Sequence, residues 1–401
     1  MNTPKLRFPE FKDEWKKTKF NDIAKFFSGG TPSSTNKRYY TGSIPFIKSG
    51  EISQKHTEQH ISEEGLKNSS AKLVNKGDLL FALYGATSGE VAISKLNGAI
   101  NQAVLCIKTK GNNLFLFQLL SYKKNSITQK YLQGGQGNLS AKIVKEIDLI
   151  LPTLPEQTKI ANFLSTVDKR IELLNNKLNL LEEYKKGATQ KLFSQEVRFK
   201  EENGEEFPEW EKKRLGGIST NHSGTPLEKY TTEESNYNFI SIGNYGKNGC
   251  YVDNGQRVKL NDITKKKLLY KNDIVMVLND KTKSGDIIGA SILIDKNDKY
   301  IYNQRSQRIT FNSEIVNIRF MWFQLNWSLF RKEVFRRSQG GTQIYINFSE
   351  VEKIKLSLPS LPEQTKIANF LSSIDTKIEL ATKELNKTEE YKRGLLQQMF
   401  I

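Results

Sequence analysis

The 401-residue sequence is poor in the residues from which metal sites and disulfide frameworks are built. It has two cysteines, Cys106 and Cys250, in different halves and in no Cys-x-x-Cys pair, which argues against a structural zinc site or a disulfide scaffold. Both read as buried apolar thiols. Of the three histidines, His56 and His60 stand four apart with no third ligand evident, and His222 is isolated, so no metal site is expected. No phosphate-binding G-x-x-x-x-G-K-[ST] loop occurs; Gly243-Asn244-Tyr245-Gly246-Lys247 has the wrong spacing. Also missing are a glycine-rich dinucleotide fingerprint after a strand and the Asn-Pro-Pro-aromatic run that amino-methyltransferases use. Asp280-Lys281 near Asp273 is the nearest thing to a nuclease carboxylate–lysine set, and such pairs are common in a Lys-rich chain. No segment approaches the roughly 18–20 uncharged apolar residues that span a bilayer, and Met1-Asn2-Thr3-Pro4-Lys5 lacks a signal-peptide core. A soluble cytoplasmic protein is expected, one that binds and positions.

What is present is positive charge and aromatic residues. Sixty-one Lys and Arg stand against 44 Asp and Glu, a net charge of +17, which attracts polyanions and makes nucleic acid the leading partner. Twenty-two Phe and 15 Tyr are ample for ordered cores.

The strongest feature is an internal repeat. Leu151-Pro152-Thr153-Leu154-Pro155-Glu156-Gln157-Thr158-Lys159-Ile160-Ala161 returns 207 residues later as Leu358-Pro359-Ser360-Leu361-Pro362-Glu363-Gln364-Thr365-Lys366-Ile367-Ala368. Without gaps, 151–194 and 358–401 share 27 of 44 residues. Fainter echoes pair Leu6-Arg7-Phe8 with Val197-Arg198-Phe199, Gly30-Thr31-Pro32 with Gly224-Thr225-Pro226, Asn101-Gln102 with Asn303-Gln304, and Gly134-Gly135 with Gly340-Gly341. The chain is therefore two units, about 1–194 and 195–401, each a variable body followed by a near-constant tail.

The tails read as helices. Pro155 and Pro362 suit a first helical turn, and Glu156 and Glu363 suit the positive end of the helix dipole. A heptad stripe follows: Ile160, Leu164, Val167, Ile171, Leu174 and Leu178 in the first copy, Ile367, Leu371, Ile374, Ile378 and Leu385 in the second, each interrupted at the same place, by Lys185 and Lys392. Such a stripe predicts coiled-coil packing, and two like stripes in one chain most simply pack on each other. The bodies read as mixed α and β. Strands are expected around 43–47, 78–84, 103–107, 237–242, 273–278 and 287–294, and helices over 114–122 and 316–335.

Basic and polar loops in the bodies are the candidate contacts to DNA. They are Lys37, Arg38 and Tyr39; Tyr84 and Thr87; Gly135, Gln136 and Asn138; Lys265, Lys266 and Lys267; Asn279, Lys281 and Lys283; Arg305, with Arg308 near it; and Thr342 and Gln343. Lys and Arg hold phosphates, while Gln, Asn and Arg also read base edges.

A variable body followed by Leu-Pro-x-Leu-Pro-Glu-Gln-x-Lys-Ile-Ala and a long helix, all twice, resembles the specificity subunit of type I restriction-modification systems over essentially the whole chain. The resemblance implies an α+β fold in which two mixed α/β globular target recognition domains (1–150 and 197–357) are joined by two long antiparallel coiled-coil helices (151–196 and 358–401) with pseudo-two-fold symmetry. It implies that each domain reads one half of a bipartite site in double-stranded DNA and that the helices set the spacing. It also implies two modification subunits, which bind S-adenosylmethionine and methylate adenine, and two restriction subunits driven by ATP and Mg. This chain itself would carry no cofactor and no catalysis. The alternatives are a coiled-coil adaptor and a stand-alone nuclease or methyltransferase.

Overall fold

The computed structural model describes residues 3–132 and 138–401. It divides into two compact units: unit 1 is 1–177 with 381–401, and unit 2 is 178–380. The architecture is α+β. The two long helices are Leu154–Phe193 and Leu361–Met399, and each begins in one unit and ends in the other. At 1.5 Å per residue each is a rod of about 60 Å. Among the described residues no helix is long and apolar enough to cross a membrane.

Unit 1 has two four-stranded sheets. One, fully antiparallel, runs Ala24–Ser28, Val104–Thr109, Leu79–Ala82, Val91–Ile93. The other runs His60–Ile61, Ile44–Ile47, Gly98–Ile100, Lys72–Val74, with Ile44–Ile47 and Gly98–Ile100 parallel. Unit 2 repeats this plan in reduced form: Ser219–Ser223, Ser306–Phe311, Ile274–Val277, Ser291–Leu293 make the antiparallel sheet, and Asn238–Ile240 lies parallel to Tyr300–Tyr302. Leu79, Leu80, Phe81 and Ala82, and likewise Ile274 to Val277, are buried on both faces, which is why these segments read as unbroken apolar runs. The helix expected over 316–335 is instead two, Ile318–Asn326 and Ser328–Arg337. Trp327 between them is extended (ψ 140°), its ring lies 5.4 Å from that of Phe193, and its indole donates to Gln190. Its counterpart in unit 1, Asn113–Leu132, is continuous.

The heptad stripe is the seam of the long helices. Ile160, Leu164, Val167 and Leu174 in unit 1, and Ile367, Leu371 and Ile374 in unit 2, are buried, with Ile171 and Ile378 half-buried. In unit 1 the helices run antiparallel: Asp168 pairs with Lys392 at 2.5 Å and Arg170 with Glu384, so one numbering rises as the other falls. The interruptions of the stripe are thereby explained. Lys392 meets Asp168 in unit 1, and Lys185 meets Asp375 at 2.5 Å in unit 2, the same two positions 207 residues apart. All four side chains are about one-quarter exposed, so solvent screens the pairs only in part. A polar pair at one level of an apolar seam favours one register over its neighbours, because a slip would bury the charges unpaired.

The tail of each helix completes a body. In unit 1, Leu395, Met399 and Phe400 enter the core, with the Phe400 ring 5.5 Å from Phe115 and 5.9 Å from Tyr122. In unit 2, Phe193 does the same with Phe320 and Trp327. Leu6 N donates to Gln398 O at 2.9 Å, and Val197 N donates to Lys191 O at 3.2 Å: the same joint, made once between distant residues and once along continuous chain.

The repeated Leu-Pro-Glu-Gln motif turns out to be a clamp. Glu156 and Glu363 are essentially fully buried. Glu156 accepts from Arg7 (2.8 Å) and Trp15 (3.3 Å), and Glu363 from Arg198 (2.9 and 3.1 Å) and Trp210 (3.1 Å). The carboxylate lifts each arginine above its ordinary pKa. Gln157 accepts from Asn112 N and donates to Pro152 O, as Gln364 does with Asn317 N and Pro359 O. The dipole role expected for these glutamates is secondary to fastening the start of each body to the start of each helix.

Candidate nucleic-acid interface

At one end of the antiparallel sheet of unit 1, four segments are tied together by backbone hydrogen bonds. Strand Gly98–Ile100 ends in the turn 101–104, closed by Val104 N to Asn101 O (3.3 Å), with Asn101 Oδ1 accepting from Ala103 N (3.1 Å). Gly29 N donates to Asn101 O, and a side chain at Gly29 would sit 1.7 Å from Ile100 O, so only glycine permits this approach. Two residues on, Thr31 Oγ1 donates to Gln102 Oε1 at 2.6 Å. Leu83 N donates to Ala103 O, which sets the loop of Tyr84 and Thr87 beside the turn, and Leu139 N donates to Leu83 O, which brings Asn138 alongside. Gly85 (φ +82°) and Gly89 (φ +83°) shape the loop.

Unit 2 makes the same arrangement with different residues. The turn 303–306 is closed by Ser306 N to Asn303 O (3.1 Å), with Asn303 Oδ1 accepting from Arg305 N (3.1 Å). A side chain at Gly224 would lie 1.8 Å from Asn303 O. Leu278 N donates to Arg305 O, and Ile346 N to Leu278 O, both at 2.9 Å. Strand Asn279–Asp280 pairs with Ile344–Tyr345, so the loop carrying Lys281 and Lys283 lies next to Thr342 and Gln343. Buried Asp280 organises that loop, accepting from Thr282 N and Ile287 N at 2.8 Å, a structural task rather than a nuclease one.

The basic turns are tethered to the same end. Lys37–Tyr40 is a 3₁₀ turn capped by Asn36, and Tyr40 Oη donates to Pro32 O (2.6 Å), one residue from Thr31. Thr264–Lys267 is its analogue: Lys267 Nζ donates to Ser223 O (2.5 Å), next to Gly224.

The structure thus brings together, within each unit, most of the residues picked from sequence. Lys37, Arg38, Asn138, Lys265, Lys266, Lys281, Lys283, Thr342 and Gln343 are exposed; Tyr39, Tyr84, Thr87, Asn279 and Arg305 are half-buried. Gly135 and Gln136 lie outside the described residues. Two cations are engaged internally. Lys267 holds Ser223 O and lies 5.9 Å from the Tyr302 ring, and Arg308 pairs with Asp273 at 3.0 Å, as Lys108 does with Asp78. Sequence reasoning passed over Thr31, Gln102, Gln304 and Glu228. Glu228 accepts from Asn303 and Gln304. Burial pushes its carboxyl up, but its own backbone N–H, then Gln304 and Asn303, hold it below the usual range. The repeated Gly-Thr-Pro and Asn-Gln echoes were the available signal. Of the cysteines, Cys106 is buried as expected, its thiol pushed up to about 12 by burial, whereas Cys250 is exposed.

Comparison with known proteins identifies the family. The family model described as type I restriction modification DNA specificity domain matches twice, at residues 12–183 and 208–390. The chain is 28% identical to the MjaVIII type I restriction enzyme specificity subunit of Methanocaldococcus jannaschii, over 98% of this chain and 92% of that one. It is 24% identical to the MjaIX specificity subunit of the same organism, over 96% and 92%. Among solved structures, the S subunit of a type I restriction-modification system from M. genitalium superposes with a TM-score of 0.66 at 18% identity, covering 100% of this chain and 99% of that one. The chain belongs to the family of DNA specificity subunits of type I restriction-modification systems, the non-catalytic subunits that recognise DNA within those complexes.

Proposed function

We propose that the bodies, 1–150 and 197–357, are two target recognition domains that each read one half of a bipartite site in double-stranded DNA through the loop ends just described. The single observation that carries this reading is the convergence, in both units, of the same four segments with unlike side chains at their tips. Lys37, Arg38, Lys265, Lys266, Lys281 and Lys283 would hold phosphates. Gln102, Asn138, Arg305, Thr342 and Gln343 would face base edges. Because the tips differ, the half-sites differ, and the long helices, 151–196 and 358–401, hold the distance between them.

The long helices also serve as docking sites for two modification subunits, which supply S-adenosylmethionine-dependent adenine methylation. Two restriction subunits bring ATP and Mg chemistry, all in the cytoplasm. Support for two equal partners comes from exposed apolar residues repeated at the 207-residue offset: Leu173 and Tyr391 in unit 1, Leu380 and Tyr184 in unit 2, each more than half exposed. Leu173 and Tyr391 line one groove of about 540 Å³ with Thr166, Arg170 and Glu384.

The direct test exchanges residues 1–150 for the body of another member of the family, with the modification subunits present, and sequences the methylated sites. One half-site should change and the other persist. A change in both halves, or in neither, overturns the modular reading.

A further inference from the structure

The two matched turns form a built-in comparison. Asn101-Gln102-Ala103-Val104 and Asn303-Gln304-Arg305-Ser306 share the side-chain cap on the third residue and the same acceptor bond to the strand before the reading loop. Each glutamine is held, Gln102 by Thr31 and Gln304 by Glu228. At the third position the units part: Ala103 is nearly buried, whereas Arg305 is half-exposed on an identically fixed backbone. Of the three arginines in this part of unit 2, Arg308 is taken up by Asp273 and Arg257 by Asp253. The Arg305 backbone is pinned on both sides, by Asn303 Oδ1 at its N–H and by Leu278 N–H at its carbonyl, so its guanidinium leaves a rigid anchor.

We propose that Arg305 is the specificity-determining residue that places a guanine in the half-site read by unit 2, and that Ala103 leaves the corresponding position of the other half-site without such a contact. The assignment rests on reading these loops as the DNA surface. A planar guanidinium donates two parallel hydrogen bonds to guanine O6 and N7 in the major groove, and no other base presents two acceptors in that arrangement. A lysine supplies charge and donors without the rigid planar fork, so it holds a phosphate but reads guanine with weaker geometry, and alanine removes both roles.

The experiment uses the chain assembled with its modification subunits. Methylated sites are sequenced, and binding of duplex DNA is measured by competition against single-base-pair variants, for the parent, Arg305→Lys, Arg305→Ala and a Lys281→Ala/Lys283→Ala variant. The expected result is that Arg305→Ala loses discrimination by about 5- to 150-fold at one G·C pair, and Arg305→Lys loses part of it at the same pair, in one half-site only, with the other half-site unchanged. A phosphate role predicts something else: Arg305→Lys keeps the parental motif and Arg305→Ala weakens all sequences alike, which overturns the proposal. An unchanged motif in both Arg305 variants also overturns it. If the Lys281/Lys283 variant still binds more weakly, the loop surface itself stands; if that variant is also unchanged, the surface reading falls as well.

Discussion

The clamp at the start of each long helix and the loop cluster at the end of each antiparallel sheet were duplicated together, yet they have fared differently. In the clamp, Arg7, Trp15, Asn112, Glu156 and Gln157 are repeated as Arg198, Trp210, Asn317, Glu363 and Gln364, with the same bonds. In the loops the backbone bonds and the Asn-Gln start of the turn are repeated, while the side chains at the tips are not: Ala103 stands where Arg305 does, and Tyr84 where Asn279 does. Each clamp residue is committed to a buried or half-buried partner, and removing one strands the other. A loop tip exposes its side chain and can change at little cost to folding. Fixed backbone with free side chains is what a reading surface requires.

The largest expected effect comes from breaking the clamp. Glu363→Ala leaves Arg198 and Trp210 without their shared acceptor inside unit 2, and a loss of about 3–5 kcal/mol is expected for opening a buried pair on one side. Thermal unfolding should show it. A substitution as mild as a surface change would mean that water replaces the carboxylate. Next, Ile378→Asp or its match Ile171→Asp puts a charge on the helix seam, where both residues are half-buried against the core clusters. A loss of about 2–3 kcal/mol is expected, with reduced methylation at both half-sites. Loss at one half-site alone would argue against a shared rod.

Smaller again is the coupling of Asp168 with Lys392. A double-mutant cycle with Asp168→Asn and Lys392→Met should return a coupling of about 0.5–2 kcal/mol, and the equivalent cycle at Asp375 and Lys185 a similar one. Zero coupling in both would remove these pairs as register markers. The least effect on folding belongs to the loops. Lys281→Ala with Lys283→Ala should leave unfolding within about 0.5 kcal/mol of the parent. The same change should flatten the dependence of DNA binding on log salt by about 1.8, at roughly 0.9 per phosphate contact. Lys265→Ala with Lys266→Ala should flatten it likewise, while Lys267→Ala should cost stability as well, through Ser223 O.

Much of this was legible in the chain. The 207-residue repeat and the heptad stripe placed both long helices within a few residues of their ends, because a period of 3.5 over five turns has no other reading. Doubly buried strands such as Ile274–Val277 announced themselves as apolar runs. Partnerships across sequence were not legible. Local pattern showed Glu156 at a helix start, but its partner Arg7 is 149 residues away, and only the fold brings them together. Lys185 and Lys392 read as interruptions because their aspartates lie on the other helix. The helix break at Trp327 follows from a ring packed on Phe193, which no propensity records. The proposed reading surface was half visible: the echoes of Gly-Thr-Pro and Asn-Gln were seen, but the hydrogen bonds that bring them to one end of a sheet were not.

One consequence concerns the order of biosynthesis. Unit 2 is a single stretch of chain, 178–380, and can close as soon as that stretch has left the ribosome. Unit 1 begins first yet keeps an unfilled core until Leu395, Met399 and Phe400 arrive, nearly 400 residues later. By this arrangement the usual sequence of translation, in which the leading domain matures ahead of the next, would be inverted. The nascent leading body would then wait, part of its apolar interior open, for the closing turns of the last helix.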